Sequence, residues 1–380
     1  MHSFEFHNPT RVIFGRGTVP QVGAAIAREG VHTLLLIGGE GSIRENGVYQ
    51  AVVQSLSAAG ITATEAWGVR PNPELTLARE LVHVAQEHQV EGVLAIGGGS
   101  VIDTAKCVAA GVYVDDLWSC FERTCRIERA LPIFAVLTIS ASGSEMDQWA
   151  VLTQSDQHRK WAISSPVLYP RVAIVDPSVQ TSLPWRQTVN GAIAVLSHIM
   201  ASYLVGTFEE TTLALDEGLM RTVVKMVERL QADHADYGAR ANLAWAATLA
   251  MNGLISAGID DSDWSAHSIE SAMSALHPDV AHGAGMAVIL PVWMAYVRES
   301  NPGQFQRWAK TIWDAETVEE GIMAMKAAFQ RWGAPSTLSD IGIGAGELRD
   351  IAFNALAEGP IGKLRVLTVR DVVELLKLAL

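Results

Sequence analysis

Histidines such as His198, His267 and His282 are candidates for gripping a catalytic cation, because a neutral imidazole offers a nitrogen lone pair at physiological pH. His198 follows Asn190-Gly191 in a helical stretch. One turn earlier, where an i, i+4 arrangement would supply a second ligand, stands Ala194, which has no donor atom. His267 comes shortly after Asp263-Trp264, and His282 opens His282-Gly283-Ala284-Gly285. These two lie too far apart for one helix face, so spacing alone does not unite the trio. A lone histidine in a helical region is ordinarily a hydrogen-bonded core or surface residue, and His158, His234 and His277 are read that way.

A second chemistry is phosphate binding. Gly97-Gly98-Gly99-Ser100 lies between an apolar run ending at Ile96 and a helical pattern starting near Val101. Glycines let backbone approach a ligand and tolerate positive φ, and the N–H groups and dipole at a helix start favour an anion. Asp103 falls in the first turn, where its charge suits the dipole. An earlier turn, Gly38-Gly39-Glu40-Gly41-Ser42, is not a G-x-G-x-x-G fingerprint, because Arg44 takes the last glycine position. Glu40 at that tip is placed to accept ribose hydrogen bonds and to repel a 2′-phosphate, which favours NAD over NADP. Thr138, Ser142 and Ser144 offer hydroxyls after a third apolar run, where open α/β sheets bind ligands.

The elements that must hold these residues are legible in the periodicity. Thr33–Ile37, Gly92–Ile96, Ile133–Leu137 and Val172–Val175 are continuous apolar runs, as expected of strands covered on both faces. Val48–Ala59 and Leu75–His88 carry apolar residues at helical spacing between them. Such alternation predicts a Rossmann-like parallel sheet with helices on both faces. From Gln187 onward helical patterns dominate. Thr317 to Glu320 reads as a capping box, Gly333 and Pro335 as a helix stop, and Thr368 to Asp371 as the start of a last helix. We expect an α/β domain over 1–183 and an all-helical domain over 184–380.

Composition excludes several partners. With 28 Lys+Arg against 41 Asp+Glu, the formal charge is −13 and no basic stripe appears. Neither nucleic acid nor an anionic membrane is an expected partner, because both require clustered positive charge. Hydrophobic residues at 49% and charged residues at 18% give a 380-residue chain a sizeable core. The apolar stretch from Gly285 to Val297 is too short to span a bilayer and holds Pro291. Three scattered cysteines, Cys107, Cys120 and Cys125, and an N-terminus without a secretory pattern are expected of a cytoplasmic protein.

Collinear segments resemble the iron-containing (group III) alcohol dehydrogenases, particularly the butanol dehydrogenase-like aldehyde reductases. They are Pro9–Gly15, Pro71-Asn72-Pro73, Gly97–Asp103, Ser142–Glu145, Asp176-Pro177, Leu183-Pro184, Gln187–Gly191, Asp263–His267 and His282–Gly285. The resemblance implies the dehydroquinate synthase-like architecture of that family: a dinucleotide-binding domain, then a helical metal-binding domain. It implies hydride transfer between NAD(P) and a small alcohol or aldehyde, with Fe²⁺ or Zn²⁺ polarising the substrate oxygen. Carried over, Gly97, Gly98, Gly99 and Ser100 bind the pyrophosphate. Glu40, Gly41, Ser42, Asn72, Asp103, Thr138, Ser142, Ser144 and Lys160 are further cofactor residues, and His198, His267 and His282 hold the metal. A homodimer is implied through the N-terminal strand, Thr10 to Phe14.

The chain also departs from the family. The Asp of its one-Asp, three-His metal site is Ala194, and a second histidine near the nicotinamide is Ser271. Ala201 replaces a frequent glutamate and Ser142 a frequent threonine. Three imidazoles with an open position suit Zn²⁺ better than Fe²⁺, which prefers some oxygen ligation. The leading expectation is an oxidoreductase. The alternatives are a nucleotide-binding relative that has lost redox catalysis and, ranked last, a repurposed enzyme of the same architecture.

Overall fold

The computed structural model describes residues 1–380, apart from the side chain of Ser42. Eight strands form: β1 (Arg11–Phe14), β2 (Thr33–Gly38), β3 (Thr62–Ala66), β4 (Gly92–Gly97), β5 (Ile133–Leu137), β6 (Trp149–Gln154), β7 (Arg159–Ser164) and β8 (Val172–Val175). Six make one parallel sheet in the order β1-β8-β5-β4-β2-β3, while β6 and β7 pair as an antiparallel hairpin. The inner strands alternate between two cores. Leu35 and Ile37 of β2 and Val93 and Ala95 of β4 enter one, whereas Leu34, Leu36, Leu94 and Ile96 enter the other. That two-sided burial is why these strands read as unbroken apolar runs.

Helices α1 (Val48–Ala58), α2 (Leu75–Glu87) and α3 (Gly99–Gly111) connect the strands. The chain goes from β2 to β3 on one side, then returns past β2 to β4 and continues the other way to β5. The order therefore reverses between β2 and β4, and both glycine turns sit at the carboxyl ends of those two strands. A reversal of this kind opens the crevice where open α/β sheets take their ligands.

Further helices include α4 (Trp185–Tyr203), α5 (Glu210–Ala232), α6 (Tyr237–Leu249), α7 (Ser265–Leu276), α8 (His282–Val297), α9 (Val318–Trp332) and α10 (Val369–Lys377). Thr317 and Glu320 form the capping box of α9, Gly333 ends it at φ 86°, and Thr368 with Asp371 caps α10. No helix among the described residues is long and apolar enough to cross a membrane.

Two compact units result, one of His7–Leu183 with Ala235–Thr248 and one of Met1–Phe6, Pro184–His234 and Leu249–Leu380. Two short segments thus leave the linear division at 183/184. The first residues join the helical unit, where the His2 N–H donates to Gly258 O at 2.8 Å. Most of α6 joins the sheet unit: Trp245 meets Phe14 edge-on at 5.7 Å, and Thr248 Oγ1 donates to Glu145 Oε1 at 2.7 Å. Neither attachment has a periodicity that sequence could display.

Candidate functional site

The glycine turn after β4 is shaped by crowding. None of Gly97, Gly98 and Gly99 adopts positive φ. A Cβ on Gly97 would lie 2.4 Å from Val101 Cγ2, on Gly98 2.2 Å from Ile139 Cγ2, and on Gly99 2.4 Å from Ser142 Oγ. The expected freedom in φ is therefore not what these glycines provide; close packing of the turn against its neighbours is. Gly98 is the N-cap of α3 and has no side chain to cap it. The first N–H groups of α3 lack partners within their own helix, as at any helix start, and suit an anion.

Beneath this turn lies a buried polar network. Asp103 accepts from Ser144 Oγ at 2.6 Å and from the Val151 N–H at 3.1 Å, tying α3 to the Ser142–Ser144 loop and to β6. Burial pushes its carboxyl up to about 6, against the pull of Lys106. Fully buried Lys106 donates to Asp147 Oδ1 (2.6 Å), Asp147 O (3.0 Å) and Trp149 O (2.8 Å). Of the other expected cofactor residues, Lys160 donates to Asn72 Oδ1 at 2.8 Å, with Asn72 held at φ 56°. Thr138 follows β5, and its N–H donates to Gly97 O at 3.0 Å, joining the turns after β4 and β5.

At the tip of β2, Gly39, Glu40, Gly41, Arg44, Trp67 and Gly68 line a hollow. Glu40 is exposed and paired with Arg70, Nε to Oε1 at 2.8 Å. The Arg44 guanidinium lies 4.0 Å from the Trp67 ring centre. The sequence marks Glu40 but not Arg44 as part of this hollow, and Arg70 adjoins it through Glu40. The predicted contact through the Ser42 side chain lies outside the described residues.

In the helical unit the structure brings His198, His267 and His282 together, with one ligand atom from each lying within 4.8 Å of the others. They come from α4, α7 and the first residue of α8. Glycine makes the convergence feasible. A Cβ on Gly283 would sit 2.0 Å from Asn190 O, so only glycine lets the start of α8 rest on the α4 backbone. His198 is buried, and its Nδ1 has no hydrogen-bond partner among the described residues. Burial, with His282 adding to it, holds its pKa down to about 3, so the ring keeps its lone pair at neutral pH. Trp264 closes against His267 at 4.9 Å between ring centres.

Two neighbours escaped sequence reading. Ser197 Oγ donates to Ala194 O at 2.8 Å and contacts His267 Nε2 at 3.2 Å. Glu270, fully buried on α7, hydrogen-bonds His282 Nδ1. The only signal for Glu270 was its position three residues after His267, which places both on one side of a helix. Ala194 is itself buried and Ser271 lies one turn beyond His267, so neither adds a ring or carboxylate. The donor set nevertheless fits a divalent metal: three clustered imidazoles, one with an orphaned buried nitrogen, leave a coordination position open.

Comparison with known proteins points one way. A family model described as iron-containing alcohol dehydrogenase matches residues 9–177, and that of the C-terminal part of the same family matches 188–380. NADH-dependent butanol dehydrogenase A of Clostridium acetobutylicum is 36% identical over 391 residues, covering 99% of each chain. An NADPH-dependent aldehyde reductase of Escherichia coli is 31% identical over 354 residues and 90% of each. The crystal structure of NADH-dependent butanol dehydrogenase A from Thermotoga maritima superposes with a TM-score of 0.97 at 46% identity, covering 100% of this chain and 99% of that one.

Proposed function

The chain belongs to the iron-containing alcohol dehydrogenase family, and from that premise we propose that it moves a hydride between NAD(H) and a small alcohol or aldehyde. The observation that carries this reading is the convergence of His198, His267 and His282 in a chain that also holds glycine turns at a strand-order reversal. Its relatives along the whole length are described as alcohol or aldehyde oxidoreductases, and nothing favours a protein without catalysis. The three histidines are the residues that would hold a divalent metal, zinc more readily than iron. Such an ion supplies Lewis-acid polarisation of the substrate oxygen, and the nicotinamide supplies the hydride.

The chain's own groups do the rest. The uncapped start of α3 and the packed glycines receive the pyrophosphate. Asp103 fixes Ser144 so that the loop after β5 keeps its shape. Buried His198 stays neutral through the physiological range and so remains an electron-pair donor. Trp264 covers one flank of the imidazole cluster and limits water there.

For the nucleotide we favour NAD. An exposed carboxylate at residue 40 accepts from ribose hydroxyls and repels a 2′-phosphate. Arg70 and Arg44 stand ready to reverse that preference once the carboxylate goes. Steady-state reduction of butanal with each cofactor tests this. The parent is expected to favour NADH, and Glu40→Ser to shift the kcat/KM ratio toward NADPH by about tenfold or more, roughly 1.4 kcal/mol. An unchanged ratio rejects the role of Glu40. No turnover with either cofactor, across alcohols and aldehydes, rejects the oxidoreductase.

We also propose a homodimer through β1. It is a sheet edge, and on its β8 side the N–H groups of Arg11 and Gly15 donate to Arg171 O and Val175 O. By strand alternation Val12 and Phe14 direct their N–H groups to the open side, available to a second copy. A cytoplasmic location accords with three free cysteines.

A further inference from the structure

The proposed metal has no anionic ligand, because residue 194 is alanine and imidazoles are neutral donors. A carboxylate nevertheless lies one step further out. Glu270 has no exposed surface, and it shares a hydrogen bond with Nδ1 of His282, whose own side chain is 31% exposed. A buried carboxylate is unfavourable unless a partner offsets it. The fold makes room for this one: a Cβ on Gly285 would meet Glu270 Cγ and Oε1, both at 2.8 Å. Glycine at 285 thus preserves the Glu270 site, as glycine at 283 preserves the approach of His282.

Resting on the metal reading above, we infer that Glu270 supplies from behind His282 the negative charge that residue 194 does not supply at the ion. Its bond to Nδ1–H leaves Nε2 as the lone-pair nitrogen and orients the ring. Glu270 is a positioning residue acting through His282.

The test is Zn²⁺ affinity, measured on chelator-stripped protein against a chromophoric competitor, beside thermal unfolding of each metal-free protein. Gln at 270 keeps the shape and still accepts from Nδ1–H, so it removes the charge alone. Glu270→Gln is expected to weaken Zn²⁺ binding about 10–100-fold while the metal-free Tm stays near the parent's. Ala194→Asp added to Glu270→Gln is expected to restore affinity, and Glu270→Asp, which keeps the charge, to bind nearly as the parent does. Glu270→Gln binding as tightly as the parent overturns the inference, as does Glu270→Asp losing as much as Glu270→Gln. If Glu270→Gln does not fold, Glu270→Asp is read against the parent instead: near-parent Zn²⁺ affinity at a near-parent metal-free Tm upholds the inference, and affinity lost at that Tm overturns it. A parent chain that takes up no Zn²⁺ overturns the metal reading itself, and this shows before any variant is compared.

Discussion

Single residues decide whether the imidazole cluster holds a metal, and residue 194 is the most exposed to test. Ala194 is 3% exposed, so an aspartate there is buried beside neutral rings. Ala194→Asp is expected to destabilise the metal-free protein by about 1–3 kcal/mol and to bind Zn²⁺ or Fe²⁺ more tightly than the parent. Unfolding with and without metal checks both signs. Asp103 offers a second test. Burial holds its folded pKa at about 6, above the ordinary carboxylate range. Its contribution is therefore fully present below the unfolded pKa and is lost as pH rises through about 6. Asp103→Asn, whose amide can donate to Ser144 Oγ and whose oxygen accepts from Val151 N–H, removes that loss. Denaturant titrations should find the variant equal to the parent near pH 4 and more stable by roughly 1–2 kcal/mol near pH 8. Legibility at this scale was uneven. His198, His267 and His282 were marked by resemblance to a family and not by spacing, and Glu270 resembled any polar helix residue until α8 was laid beside it.

Elements turn these residues into a site. The buried strands were legible because both faces are covered, which leaves an unbroken apolar run. β3 was missed because it is a sheet edge with the mixed sequence Thr-Ala-Thr-Glu-Ala, and the β6–β7 hairpin because His158, not glycine, takes the left-handed turn position at φ 52°. The glycine turn after β4 falls where the sequence places it, but positive φ, one of the two reasons expected for its glycines, is not adopted, and crowding demands glycine there. The α4–α8 contact makes a sharper prediction. Gly283→Ala places a methyl against the Asn190 carbonyl, whereas a Cβ on Gly218 of α5 meets nothing within 4 Å among the described residues. Gly283→Ala is expected to lose more than about 2 kcal/mol and its Zn²⁺ affinity, while Gly218→Ala gains about 0.5–1 kcal/mol with affinity unchanged. Equal effects at the two sites would remove the steric account of how His282 reaches its partners.

At the scale of the whole molecule, the fold class was legible from strand-helix alternation followed by helical patterns. The attachment of α6 and of the first six residues was not, because each rests on a handful of long-range contacts. Assembly follows from the sheet edge. Val12→Pro removes an N–H that faces away from β8, so the β1–β8 ladder is kept while an edge partner loses a donor. Light scattering after size exclusion should give a dimeric mass for the parent and a smaller one for the variant. Identical masses would place the interface elsewhere. The most direct test of the account joins metal to turnover. Protein stripped by a chelator, reloaded with Zn²⁺ or Fe²⁺ and analysed for metal should hold one ion per chain, gain NADH oxidation with butanal, and lose both in His267→Ala. A chain that holds no ion at His198, His267 and His282, or turns over NADH equally well without one, would contradict it.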